Sequence, residues 1–246
     1  KPSLIADRID YFDNKVAVFA FYEGYDNLEI TAQSEVDVAA PLALNGAASA
    51  PWEQVRDALR MAPDAQHLKA LEFVFESPRV RPSEPIRAFA AKSFPPGAPL
   101  LAGVRELAAR IFKEFKYDPT ATTVSTPVEE VLELRRGVCQ DFAHLMIACL
   151  RSQGLAAAYV SGYLRTNPPP GKPRLVGTDA SHAWVSVFTG AAGWIDIDPT
   201  NNVLVGEDYI RVAMGRDYGD VPPLKGVFIG GGQHTLSVSV DVAPVA

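Results

Sequence analysis

Three short stretches of this 246-residue chain carry groups that could do covalent chemistry. Arg136-Gly137-Val138-Cys139-Gln140-Asp141 holds a thiol, and Ser181-His182-Ala183-Trp184 holds an imidazole. Trp194-Ile195-Asp196-Ile197-Asp198-Pro199-Thr200 holds two carboxylates. Acyl transfer through a thioester needs a nucleophile, a base that takes its proton, and a group that orients the base. Cys139 is the candidate nucleophile, His182 the candidate base, and Asp198 or Asp196 the candidate orienting acid. The two acids are two residues apart on a predicted strand and share a face, so parity excludes neither. His144 is a rival base, but it lies five residues beyond Cys139, about 140° around a helix, and points off that face. Asp141 reads as a supporting acid or as favourable charge in a first helical turn. His67 and His234 look incidental. Cys139, His144 and Cys149 lack the short paired spacing of zinc ligands, so no metal site is expected.

These groups need elements to position them. Gly137 is followed by Phe142, Leu145, Met146 and Cys149 at helical spacing, which puts Cys139 in the first turn of a helix ending near Gly154. The helix dipole and the unpaired N–H groups at such a start favour a thiolate. Cys149 falls on the apolar stripe of that helix and reads as core. Ala157–Leu164, His182–Phe188 and Trp194–Ile197 read as strands, and the turn Gly190–Gly193 joins the last two. That hairpin sets His182 and Asp198 on adjacent strands. Trp184 and Trp194 read as core or cleft wall. The loop Asn167–Pro173 is a candidate rim of the cleft or a plain connector. A short helix near Asp208–Val212, a flexible turn at Gly230–Gly232 and a closing strand over His234–Val242 complete this half.

Upstream, Lys15–Tyr22 and Leu28–Val38 read as strands joined through Gly24–Asn27. Helices are expected around Trp52–Leu59, Leu68–Glu76, Ile86–Ser93 and Leu100–Phe115. In the last of these Val104, Leu107, Ala108, Ile111 and Phe115 form one apolar stripe, which reads as core packing. Tyr117 to Pro127 is an extended loop. Its Thr120, Thr122, Thr123 and Ser125 lack the glycines and the Gly-Lys-Ser/Thr of a nucleotide cradle. Pro127 opens a short helix to Leu134, with Glu129 and Glu130 in the favoured first turn.

Residues 137–144 (Gly-Val-Cys-Gln-Asp-Phe-Ala-His), 159–164 (Tyr-Val-Ser-Gly-Tyr-Leu), 182–185 (His-Ala-Trp-Val) and 194–201 (Trp-Ile-Asp-Ile-Asp-Pro-Thr-Asn) resemble, in that order, the bacterial transglutaminase-like superfamily. The resemblance implies an α+β fold with a papain/transglutaminase-like core, in which the cysteine helix packs on an antiparallel sheet. It implies Cys139 as nucleophile, His182 as base, and Asp198, the acid before Pro-Thr, as the orienting residue. Asp10-Tyr11-Phe12-Asp13-Asn14 and the strand after Asn27 also resemble the family's N-terminal β domain. On that reading residues 1–50 are a partial N-terminal β domain and residues 51–246 the catalytic core. Lys1 then falls inside the β domain and leaves an exposed sheet edge unless another chain covers it. Bacterial members are often described as cysteine proteases, so the implied activity is hydrolysis of a peptide or protein amide. A true transglutaminase, which passes the acyl group to an amine, is the first alternative. A catalytically silent peptide-binding or scaffold protein is the second, because fold alone does not prove activity. No cofactor is expected, and no EF-hand loop supports calcium activation.

Composition sets the outer bounds. A hydrophobic content of 48% with 21% charged residues describes an ordinary globular chain, long for one domain and comfortable for two. The net charge of −6 and the lack of a dense basic run argue against a nucleic-acid partner. Cys139 and Cys149, the only cysteines, lie nearly three turns apart on one helix, roughly 15 Å, too far for a disulfide. Free thiols favour a reducing compartment, and no apolar stretch reaches transmembrane length, so the expectation is a cytoplasmic protein with no membrane partner. Oligomeric state is not readable from the sequence.

Overall fold

The computed structural model describes residues 2–39, 49–165, 180–227, 229–230, 235 and 237–245. It opens with an antiparallel hairpin of β1 (Leu4–Ile9) and β2 (Lys15–Ala20). Asp10 builds the turn: its carboxylate accepts the N–H groups of Phe12 and Asn14 at 2.9 and 2.8 Å, while Asp13 adopts the left-handed conformation. Short acidic side chains tolerate both roles. The strand expected over Leu28–Val38 is not formed. β2 pairs instead with β1, and residues 21–39 run as exposed irregular chain. Alternation makes a strand only where one face has something to cover, and Leu28, Ile30 and Val36 are all exposed.

Helices then gather on one side of the fold. α1 (Trp52–Met61) and α2 (Ala65–Leu71) precede a 3₁₀ turn at Glu72–Val74. α3 (Glu84–Ala91) follows, and then α4 (Leu100–Glu114), whose Val104, Leu107, Ala108 and Ile111 are buried together with Phe115, as the stripe predicted. β3 (Lys116–Tyr117) pairs in parallel with β4 (Arg136–Gly137), and α5 (Val128–Leu134) lies between them in sequence. That small ladder sets the residues just before Cys139 beside Tyr117.

α6 (Cys139–Ser152) is the central helix, and every residue from Asp141 to Ser152 is buried. Five strands form an antiparallel sheet: β5 (Ala157–Leu164), β6 (Ala180–Phe188), β7 (Trp194–Asp198), β8 (Val203–Leu204) and β9 (Tyr209–Gly215), in the order β8-β7-β6-β5-β9. Ala183, Val185 and Val187 of β6 join α6 in the main core. The opposite face carries a smaller apolar cluster of Val160, Trp184 and Tyr209. The fold is therefore α+β, with a helix bearing a cysteine packed on an antiparallel sheet.

Two expectations about the C-terminal part are corrected. Residues 208–212 do not make a helix: Tyr209–Gly215 is the edge strand β9 beside β5. The free edge of β5 offers it a full set of backbone partners, which a single short helical turn could not match. The strand expected to close the sheet over His234–Val242 does not take that edge. Of it, residues 235 and 237–239 are outside any strand, while His234 and Leu236 lie outside the described residues. The Pro168–Pro173 loop and Gly231–Gly232 also lie outside them. Asn14 ties the N-terminal hairpin to β9: its amide donates to the Met214 carbonyl at 2.9 Å and accepts the Met214 N–H at 2.8 Å. Among the described residues no helix is long and apolar enough to cross a membrane.

Candidate active site

The turn before α6 is shaped by its own sequence. Val138 offers no side-chain acceptor, so the cap comes from inside the helix: Asp141, third in, accepts the Val138 N–H at 2.8 Å. This is one half of a capping box. The same oxygen accepts the Thr122 hydroxyl at 2.6 Å. A Cβ on Gly137 would come 2.6 Å from that oxygen, which is why the residue before Val138 has no side chain. Burial raises the Asp141 carboxyl pKa, and the hydrogen bonds from Thr122 and Val138 offset part of the rise. Asp141 is thus spent on shaping the turn. Cys139 follows in the first helical position and remains partly exposed.

His182 sits near the start of β6 and faces two partners. Its Nε2 lies 2.7 Å from Asp198 Oδ2, and the ring is close enough to the Cys139 thiol for that group to help raise its pKa. With Nε2 taken by Asp198, Nδ1 is the ring nitrogen left for sulfur. Burial pulls the His182 pKa down, but the hydrogen bonds to Asp198 and Cys139 and their charges outweigh it and raise the value to about 9. The imidazolium form is favoured at neutral pH.

Asp198 ends β7 and is fully buried. Five donors satisfy it. Oδ1 accepts the N–H groups of Thr200 at 2.8 Å and Asn201 at 3.3 Å, a turn that Pro199 helps to form. Oδ2 accepts from His182, from the Asn201 amide at 2.7 Å and from the Tyr209 hydroxyl at 2.8 Å. Burial pushes this carboxyl pKa up, yet the His182 hydrogen bond and charge, with Tyr209 and Asn201, hold it below the usual value. The group stays ionised where an unpartnered carboxylate would not.

The rival residues have other partners. The Asp196 carboxylate accepts from Trp184 Nε1 at 2.9 Å, from Ser186 at 2.6 Å and from both-oxygen contact with Arg211 at 2.7 and 2.6 Å. His144 is buried in the core, where its Nε2 accepts the Tyr218 N–H at 3.1 Å and its ring lies against Tyr159. Burial lowers its pKa to about 3, so it stays neutral and is already engaged. Asp64 caps the start of α2 by accepting the His67 N–H at 2.9 Å, and the His67 ring Nδ1 lies 2.9 Å from the same oxygen. Trp184 is fully buried, and Trp194 packs on Phe73 and Phe188.

Several contributors were not singled out from the sequence. Tyr117 on β3 is close enough for the charges of Cys139 and Asp141 to raise its phenol pKa, after burial, the larger cause. Thr122 fastens the 118–126 loop to Asp141, and Gln140 fastens it again through the Val124 carbonyl at 3.2 Å. The loop is thus tied to the two residues that follow Cys139. Asn201 directly follows the Asp-Pro-Thr motif and could have been noticed there. Tyr209 carried no local signal, because its partner is on another strand. Among the described residues no group of three or more His, Cys, Asp or Glu side chains is arranged to hold a metal ion.

Residues 87–199 match the family described as transglutaminase-like superfamily, and that span contains Cys139, His182 and Asp198. A protein of Mycobacterium tuberculosis strain H37Rv is 46% identical over 243 residues, covering 96% of this chain and 76% of its own. A protein-glutamine gamma-glutamyltransferase of Pseudomonas aeruginosa is 33% identical over 105 residues, 39% of this chain and 16% of its own. Among solved structures, a "Putative Cysteine Protease" from Cytophaga hutchinsonii superposes with a TM-score of 0.55 at 26% identity. The overlap covers 66% of this chain and 51% of that one, so this chain spans about half the length of that structure.

Proposed function

The chain belongs to the transglutaminase-like superfamily, and from that premise we propose that it is a cysteine-dependent acyl-transfer enzyme acting on peptide or protein amides, with Cys139 as nucleophile, His182 as base and Asp198 as the orienting acid. One observation carries the reading: a single imidazole lies 2.7 Å, through Nε2, from a fully buried carboxylate and is also close enough to the Cys139 thiol for that group to help raise its pKa. A buried ion held by five donors costs a fold much to build. Setting it against an imidazole that in turn meets a thiol makes chemical sense only for a base that must be oriented and charged.

The steps follow from the atoms. His182 takes the thiol proton, or already holds it as imidazolium beside a thiolate. The sulfur attacks the amide carbon, and a C–S bond forms as the carbonyl becomes an oxyanion. The N–H groups that a helix start leaves without an intrahelical partner supply donors for that charge at the start of α6. The oxyanion collapses, the C–N bond breaks, and His182 returns its proton to the leaving amine. A thioester remains on Cys139. Water, deprotonated by His182, then releases the acid and restores the thiol. Asp198 holds the ring and balances the imidazolium throughout, without itself taking the proton.

Hydrolysis is the preferred outcome, in keeping with the cysteine-protease name of the Cytophaga hutchinsonii structure. The second reading is transfer to an amine. The Pseudomonas aeruginosa relative favours it, since its name is that of a glutamine acyl transferase. The deciding experiment is incubation of the protein with benzyloxycarbonyl-Gln-Gly and casein, with and without hydroxylamine. Free acid or new peptide termini without hydroxylamine mean hydrolysis, hydroxamate in excess of free acid means transfer, and ammonia leaves on acylation in either case. Both products should vanish in Cys139→Ala. Product formation that persists in Cys139→Ala would overturn the assignment. If wild-type protein binds the peptides without forming product or a thioester, a silent peptide-binding module is the correct description.

A further inference from the structure

We infer that Tyr209 is a positioning residue for the imidazole of His182, reaching across the outer face of the sheet to hold the same Asp198 oxygen that His182 uses. This deepens the reading of Asp198 as the orienting acid and rests on it.

The reach is long for one side chain. β9 and β7 are separated in the sheet by β5 and β6, yet the Tyr209 hydroxyl lies 2.8 Å from Asp198 Oδ2. The Tyr209 ring must lie along the sheet surface, over strands that would normally raise side chains there. Gly162 of β5 leaves the room. It pairs with His182 on one side and with Arg211 on the other, and a Cβ there would meet the Trp184 ring at 2.4 Å and the Ile210 carbonyl at 2.2 Å. Trp184 fills the space above Gly162, and Tyr209 packs edge-to-face on it, with centroids 5.4 Å apart and planes at 84°. The His182 ring is 5.9 Å from Tyr209. Asp196, which accepts from Trp184 Nε1 and from Arg211, also of β9, secures this roof. Tyr209 is itself buried, so its hydroxyl has little access to water as an alternative partner.

The chemical consequence comes from sharing. Oδ2 accepts three donors at once, from His182, Asn201 and Tyr209. A carboxylate oxygen has two lone pairs, so the donors compete, and each holds the others at a longer distance than it would reach alone. Tyr209 therefore does more than keep Asp198 ionised. It limits how far the carboxylate draws the imidazole away from Cys139. Without the hydroxyl, Oδ2 has two donors, the His182 contact tightens, and the ring moves toward Asp198 at the expense of the thiol.

The test uses the full chain with ¹⁵N-labelled histidine, in wild-type, Tyr209→Phe and Tyr209→3-fluorotyrosine forms. Phenylalanine keeps the ring and removes the donor, while fluorotyrosine keeps the shape and strengthens the donor. The His182 Nε2–H proton resonance should move downfield in Tyr209→Phe and upfield in the fluorotyrosine protein. Iodoacetamide alkylation of Cys139 should slow by about tenfold in Tyr209→Phe, the loss expected for one hydrogen bond to a charged group. With an amide probe that turns over, kcat should fall by a similar factor and KM stay within about twofold. A purely structural Tyr209 would lower the melting temperature in both variants and leave the resonance and the alkylation rate where they were, and that result would overturn the inference. If Tyr209→Phe does not fold, the sign of the fluorotyrosine shift decides alone. Resonance and alkylation need no substrate, so failure of the enzyme reading is seen separately, as wild-type protein that shows these shifts but turns over no amide.

Discussion

At the scale of single residues, the two thiols test the assignment of the nucleophile. Cys149 is fully buried, its sulfur 4.0 Å from the Ile86 carbonyl, and burial pushes its pKa well above the ordinary thiol value. Cys139 is partly exposed and close enough to His182 to help raise the pKa of that ring. Iodoacetamide at neutral pH should therefore modify Cys139 at least on the order of a hundredfold faster, because access favours it and burial keeps Cys149 protonated. Peptide mass spectrometry over a time course reads the ratio, and equal labelling would remove Cys139 from its role. The acids give a second test. Asp198→Asn should lower turnover by on the order of 10³-fold or more, since an amide cannot balance imidazolium or hold the same tautomer. It should also cost about 2–3 kcal/mol, because it presents a donor to neighbours that are all donors. Melting should fall by several degrees with the fold retained. Asp196→Asn should spare the chemistry more than the stability, as its partners are Trp184, Ser186 and Arg211. If Asp196→Asn is the more damaging to turnover, the orienting acid has been misassigned.

At the scale of elements, the site depends on close backbone approach at two glycines. Gly137 lets Asp141 fold back on the turn before α6, and Gly162 lets β9 and Trp184 close over β5. Gly162→Ala should be the more disruptive, since a Cβ 2.2 Å from the Ile210 carbonyl must push β9 off its partner. Overpacking of this kind costs about 1–3 kcal/mol. Hydrogen exchange should show faster opening of Tyr209–Gly215 in Gly162→Ala, with α6 protection little changed. Unchanged exchange in β9 would mean that the strand is not held by this contact. The 118–126 loop is a gentler case. Thr122→Val removes one hydroxyl from Asp141 and should cost about 1 kcal/mol.

At the scale of the whole molecule, two histidines give stability opposite pH limbs. His144 has a folded pKa near 3, below its unfolded value of 6.5. The unfolded chain binds more protons between those values, so this contribution is present above pH 6.5 and is lost as pH falls toward 3. His182 has a folded pKa near 9, above its unfolded 6.5. Its contribution is complete below pH 6.5 and is lost as pH rises toward 9. Together they place a maximum near pH 6.5, flanked by losses of a few kcal/mol in order of magnitude. Melting temperatures from pH 4 to pH 9 should trace that dome. His144→Gln, whose carbonyl can still accept the Tyr218 N–H, should flatten the acid limb, and His182→Gln the alkaline one. An unaltered acid limb in His144→Gln would mean that carboxylates alone set it.

What the sequence determined by itself was local. Helical spacing from Phe142 to Cys149 and the glycines at 137 and 154 delimit α6, and the motifs around Cys139, His182 and Asp198 carry the family resemblance that the match over residues 87–199 bears out. Such signals are short because capping, periodicity and turn chemistry act within a few residues. Alternation over Leu28–Val38 misled for the same reason: it reports which side chains could share a face, not whether a partner exists to cover it. Strand parity left Asp198 and Asp196 equal, and only the tertiary structure shows their different partners, His182 for the first and Trp184 with Arg211 for the second. It alone turned the helix expected near Asp208–Val212 into part of the strand Tyr209–Gly215, because the unpaired edge of β5 lies far away in sequence. And it alone brought Tyr209 to Asp198, since a side chain that crosses two strands meets neighbours that no sequence spacing encodes.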